Sequence, residues 1–156
     1  MDRLQNIVAY LCNNYPYPGE LSKARLTKLV YLADWISALS DNQQLTDIRW
    51  IFNHYGPYVE DIISSTRSSP LFRVENSVND YGASKQLIKY IGSPWDISVT
   101  HRDSEIMDFV IKKTKTLYFN DFIDYVYSTY PITSSERYSE LNLVELARRY
   151  RSSDNS

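Results

Sequence analysis

Residues 22–40 carry apolar side chains around more of a helix than one buried face requires. Leu26, Leu29, Val30, Ala33 and Ile36 recur at helical spacing and form one stripe. Tyr31, Trp35 and Ala38 widen it. A helix that is apolar over so much of its circumference has to be covered on more than one side. The chain is therefore expected to wrap its other elements around this helix, which starts near Ser22.

The flanking sequence supplies those elements. Leu4, Ile7, Val8 and Leu11 predict a helix over 3–13, with Asp2 and Gln5 in capping-box order. Two prolines and a glycine in 13–19 end it. Ile48, Trp50 and Phe52 alternate with Arg49, Ile51 and Asn53, which predicts a strand over 48–53. Gly56-Pro57 marks a tight turn, and Pro57 suits the first position of a helix over 57–66. Residues 71–77 and 84–91 read as two strands joined by the turn chemistry of Asn79-Asp80-Tyr81-Gly82. Thr100 and Asp103 repeat the capping box before helices over 101–117 and 119–128. Thr129-Tyr130-Pro131 is expected to stop the second of these. Leu141, Val144, Leu146 and Ala147 predict a short last helix, followed by a flexible polar tail over 151–156. No Gly/Ser-rich linker divides the chain. The expectation is an α+β fold: one mainly helical domain over 1–150 with a small antiparallel sheet or hairpin.

Several kinds of chemistry lack their residues. His54, His101 and Cys12 are the only histidines and cysteine, and none pairs at metal-ligand spacing. Four glycines, at 19, 56, 82 and 92, leave no way to write a phosphate loop or a dinucleotide fingerprint. No strained serine elbow is present, so a hydrolase would have to be built on His54 or a carboxylate in a deep pocket. Cys12 lies in an apolar run and reads as a small buried hydrophobe. A net charge of −2 gives no general attraction to nucleic acid, although basic clusters stand at Lys23/Arg25/Lys28, Lys112/Lys113/Lys115 and Arg148/Arg149/Arg151. On helices such residues normally keep a wet face. No apolar run approaches the roughly 20 residues of a membrane helix, and Met1-Asp2-Arg3-Leu4 lacks the layout of a signal peptide. A soluble cytoplasmic protein without enzyme activity, metal or cofactor is expected. The 14 tyrosines stand out, since a ring with a polar tip suits both core margins and interfaces.

Two blocks carry a resemblance. Leu26-Thr27-Lys28-Leu29-Val30-Tyr31-Leu32-Ala33-Asp34-Trp35 and, about twenty residues on, Trp50-Ile51-Phe52-Asn53-His54-Tyr55-Gly56-Pro57-Tyr58 resemble the signatures of the Panacea (SocA-like) antitoxin domain. A third stretch, Ile106 to Pro131, is similar to the family's late helix pair. The resemblance implies an antitoxin of bacteria or their prophages that neutralises a cognate toxin encoded nearby by direct contact, in one member by delivering it to a protease complex. It marks Lys28, Tyr31, Asp34, Trp35, Tyr55, Gly56, Pro57 and Tyr58 as motif or partner-binding residues. Two readings of the rings stay open: an aromatic core cluster that sets the fold, or a set that partly faces the toxin. Asp34 reads as a carboxylate at the edge of the buried stripe, bonded to a tyrosine or the backbone, or as a partner contact. The alternative function is a DNA-binding regulator of winged-helix type, which the order helix, strand, helix, hairpin also allows.

Overall fold

The computed structural model describes residues 1–78 and 81–154. Its central element is α2 (Lys23–Asp41), capped by the Ser22 hydroxyl, which accepts from the Arg25 N–H. Leu26, Leu29, Val30, Tyr31, Leu32 and Ala33 are all buried, as a helix covered on several sides demands. Around it pack α1 (Arg3–Asn14), α3 (Asp61–Arg67), α4 (His101–Thr114), α5 (Phe119–Tyr127) and α7 (Leu143–Asp154). Both expected capping boxes form, Asp2 with Gln5 on α1 and Thr100 with Asp103 on α4. The fold is mainly helical α+β with small antiparallel sheets.

One sheet has three antiparallel strands in the order β2-β1-β5, formed by β1 (Trp50–Asn53), β2 (Gly56–Tyr58) and β5 (Glu140–Leu141). β1 keeps the alternation read from its sequence, with Trp50 and Phe52 buried and Ile51 and Asn53 exposed. The other sheet is the hairpin of β3 (Phe72–Val78) and β4 (Ser84–Tyr90). Asn79 and Asp80 of its predicted turn lie outside the described residues, while Gly82 takes the positive φ, 80°, that its place requires.

The structure departs from the sequence reading in four places. Gly56-Pro57-Tyr58 is a strand, and the helix expected from 57 starts only at Asp61. Pro57 is tolerated because β2 is an edge strand. Opposite it, Phe52 turns its N–H and C=O toward Ser139 and Tyr138, away from β2, so the missing donor of Pro57 leaves no gap in the ladder. Thr129-Tyr130-Pro131 does more than end α5. Thr129 is the N-cap and Pro131 the second residue of α6 (Tyr130–Ser134). Leu141 belongs to β5 rather than to the last helix, and it is buried there against the core. Residues 151–154, expected as tail, continue α7. Arg151 donates to the Ala38 and Leu39 carbonyls at 3.1 and 3.0 Å. It thereby adds a donor to the Ala38 carbonyl, which also accepts the Asn42 N–H, satisfies that of Leu39 and offsets the partial negative charge of that helix end.

Arg25 is the least expected member of the interior. It belongs to a cluster read as a wet basic face, yet it is buried. Its Nε and Nη2 donate to the Tyr15 hydroxyl at 3.0 and 2.8 Å, and Nη2 also reaches the carbonyls of Thr114 and Leu117 at 3.0 and 2.9 Å. The guanidinium lies over the Phe122 ring, 4.4 Å from its centroid. One planar cation thus fastens the ends of α1 and α4 to α2 and α5, using the forked donors that lysine lacks. Arg25→Met takes this donor from the Tyr15 hydroxyl and the Leu117 carbonyl and removes a second donor from the Thr114 carbonyl, and it is expected to cost about 2–4 kcal/mol. Urea unfolding measures this. A loss under about 0.5 kcal/mol, the scale of an ordinary surface change, contradicts the bracing role.

Candidate functional site

The motif residues divide between the interior and the surface. Asp34 is fully buried on α2 and faces donors from a single loop and strand. It accepts from the Thr46 N–H at 3.0 Å, the Thr46 hydroxyl at 2.5 Å, Trp50 Nε1 at 2.8 Å and Gln44 Nε2 at 3.3 Å. Burial pushes its carboxyl up to about 6, and the bonds from Thr46 and Trp50 hold it from rising further. The four donors around it favour the carboxylate over the neutral acid. Its partners are the backbone, a threonine, a glutamine and a tryptophan, and none is a tyrosine.

Tyr31 packs edge-on to Trp50, with ring centroids 5.6 Å apart. Its hydroxyl lies 2.8 Å from Thr129 Oγ1. Since that threonine gives its own proton to the Val126 carbonyl, Tyr31 is the donor. Trp35 stacks on Tyr130 at 6.5 Å and meets Tyr150 edge-on at 6.2 Å, which joins α2 to α6 and α7. Gly56 has φ +96°, and an added Cβ there would stand 3.3 Å from the Tyr127 ring. Both facts call for glycine. Tyr58 is half-buried, donates to Glu60 at 2.9 Å and lies under the Lys23 ammonium. Tyr55 and His54 are exposed on the β1–β2 turn, ring against ring at 4.5 Å.

The exposed rings also gather elsewhere. A groove of about 950 Å³ opens between the start of α2, the distal half of the β3–β4 hairpin and the start of α5. Tyr81, Tyr118 and Phe119 line it at 96%, 81% and 49% exposure. Its charged lining is Lys23, Arg25, Lys85 and Glu20; the buried Arg25 lies 3.9 Å from Glu20, and Lys23 lies 3.9 Å from Glu60. Neither block of the motif singled it out. No periodic signal in the sequence marks it, since Phe119 continues the apolar spacing of Phe122 and Ile123 and reads as part of the buried face of its helix.

The family model described as antitoxin SocA-like, Panacea domain, matches residues 26–131. The chain belongs to this family. No curated protein and no solved structure gives a significant match. The matched span of this Panacea domain runs from α2 to the start of α6 and holds all eight motif residues, whereas Glu20–Arg25 of the groove precede it.

The remaining candidates fall into place around this frame. Of the basic clusters, Arg25 and Lys28 are buried, Arg148 and Arg149 are paired with Glu145, and Arg151 is tied to α2. The thiol of Cys12 is pushed up to about 12 by burial, which keeps it a poor nucleophile. Among the described residues no cluster of three His, Cys, Asp or Glu is placed to hold a metal ion, and no helix is long and apolar enough to cross a membrane. His54 stands on its turn outside the groove lining.

Lys28 is the anomaly. It shares a face of α2 with Tyr31 and Trp35, is 3% exposed, and burial lowers its ammonium from 10.5 to about 8. At about 1.4 kcal/mol per tenfold change, the buried charge costs the fold about 3 kcal/mol at neutral pH. Between pH 8 and 10.5 the unfolded chain holds a proton that the folded chain has released, so stability rises with pH across that window. Lys28→Met is expected to stabilise the domain by about 3 kcal/mol at pH 7, with the advantage shrinking as pH climbs from 8 to 10.5. An advantage that stays flat over that range rejects the assignment. The opposite holds for Asp34. Asp34→Asn keeps one acceptor oxygen and turns an NH₂ toward a shell of donors, so a loss of about 2–4 kcal/mol is expected in chemical denaturation. Wild-type stability in this variant would mean the four bonds carry little.

Proposed function

We propose that this Panacea domain is an antitoxin that neutralises a toxin encoded beside it by direct protein–protein contact, without catalysing a reaction of its own. Membership in the antitoxin family supports the role in general. The observation that carries the mode of action is where the rings sit. Those of the motif that build the interior leave the solvent, while Tyr81, Tyr118 and Phe119 stay exposed around one groove. Exposed aromatics with a polar rim are what a binding hot spot is made of. The groups whose titration is strongly shifted, Asp34, Lys28, Cys12, Tyr10 and Tyr31, are all absent from the lining of that groove. Where a bound toxin is passed on to a protease complex, the same contact comes first.

Co-expression with the product of the adjacent gene is the direct test. Growth rescue and recovery of a complex by affinity pull-down are expected. The double variant Tyr118→Ala/Phe119→Ala should lower co-purification at least tenfold while leaving the melting temperature within about 2 °C, since both rings are outside the core. Two soluble proteins that neither associate nor offset one another's effect on growth would remove this function.

A further inference from the structure

The stretch from Phe109 to Asn120 holds Lys112, Lys113 and Lys115 and no acidic residue. The three lysines are exposed, in the last turn and at the C-cap of α4. Among the described residues none of them makes an ion pair. Other helical cations differ: Arg102 pairs with Asp41, and Arg148 and Arg149 pair with Glu145. The carboxylates that bound the stretch are Asp108, which accepts from the Tyr10 hydroxyl at 2.7 Å, and Asp121 in the first turn of α5. Exposed rings accompany the lysines. Phe109 lies under the Lys113 ammonium, 5.7 Å from it, and Tyr118 follows Lys115.

The partial charge of a helix C-terminus accounts for a cation in the last turn, but not for rings left in water beside it. At physiological salt a charge acts over about 8 Å, so these lysines set the local field whatever the net charge of the chain. Three anionic surfaces could answer them. Protein interfaces favour arginine and are depleted in lysine, and every cation here is a lysine. A lipid surface takes up the apolar face of a helix, and that face of α4, Ile106, Met107, Val110 and Ile111, is already in the core. Phosphates accept lysine as a point charge that needs no fixed fork, and unpaired bases stack on exposed rings. A long duplex laid along α4 would meet the exposed Glu105 and Asp108 on the preceding turns, whereas a short strand needs only the lysines and the link to α5.

We propose that the C-terminal end of α4 and its link to α5 bind a short single-stranded nucleic acid. Lys112, Lys113 and Lys115 meet three phosphates, and Phe109 and Tyr118 are the stacking platforms. The contact is independent of base sequence, since neither an ammonium on a phosphate nor a stacked ring reads base edges. It is an activity apart from toxin capture and needs no partner protein.

Fluorescence anisotropy of the purified chain with a labelled oligothymidylate tests it. Three phosphate contacts on a single strand give a slope of about −2 in log K against log salt, so binding should weaken roughly 20-fold between about 50 and about 200 mM salt. The triple variant Lys112→Gln/Lys113→Gln/Lys115→Gln should bring the slope close to zero and lower affinity at least tenfold at the lower salt. The corresponding Lys→Arg triple variant should keep both, which separates lost charge from lost folding. Tyr118→Ala should weaken binding about fivefold or more with the slope unchanged. No binding at about 100 μM chain in the lower salt overturns the proposal. So does a duplex of the same length, a polyglutamate peptide or a phosphatidylserine vesicle bound as tightly as the single strand. Each of these results leaves the antitoxin reading standing, because no toxin enters the measurement.

Discussion

The sheet of this domain hangs on one buried carboxylate. Asp34 reaches out from the central helix and accepts bonds from Thr46, Gln44 and Trp50, groups that belong to the loop and strand after the helix. An ionised carboxylate in a dry interior is unfavourable unless donors surround it. Here four do, and they come from within sixteen residues of chain. The position of β1 follows from that cluster, and with β1 come the turn at Gly56 and the pairing with β5. Tyr31 closes the arrangement from the side by packing on the same Trp50.

Charge inside the domain is used for geometry. Arg25 and Arg151 both direct guanidinium donors at carbonyls near helix ends, the first at the end of α4 and the second at the end of α2. Each supplies donors to carbonyls in the last turn of a helix or just beyond it, where helical bonding runs out. Lys28 differs, since it is buried on the motif face of α2 and burial disfavours its charge.

Much of the architecture was legible because it rests on local rules. The broad apolar surface of residues 22–40 announced a central helix, the two capping boxes marked helix starts, and the alternation at Trp50 and Phe52 marked a strand. What escaped depends on distant partners. Pro57 fits a helix start and a sheet edge equally well, and only the position of Ser139 and Tyr138 on the far side of Phe52 decides between them. Arg25 looks like solvent-exposed charge until Tyr15, Thr114 and Leu117 are brought around it. β5 is two residues long, too short to show a period. Of the motif, the helix pattern placed Tyr31, Trp35 and Asp34 on or beside the buried stripe but left open whether they face the core or a partner, and the exposure of Tyr55 and the ring-lined groove had no periodic signal.

The β3–β4 hairpin is anchored at one end only. Phe72, Leu87 and Ile88 enter the interior, while Asn76–Val78 and Ser84–Gln86 stay outside the core. Substitutions in that outer half neither open a cavity nor strand a buried polar group, so they are thermodynamically cheap. The outer half of the hairpin can therefore change in sequence at little cost, while the helical body that folds the molecule stays as it is.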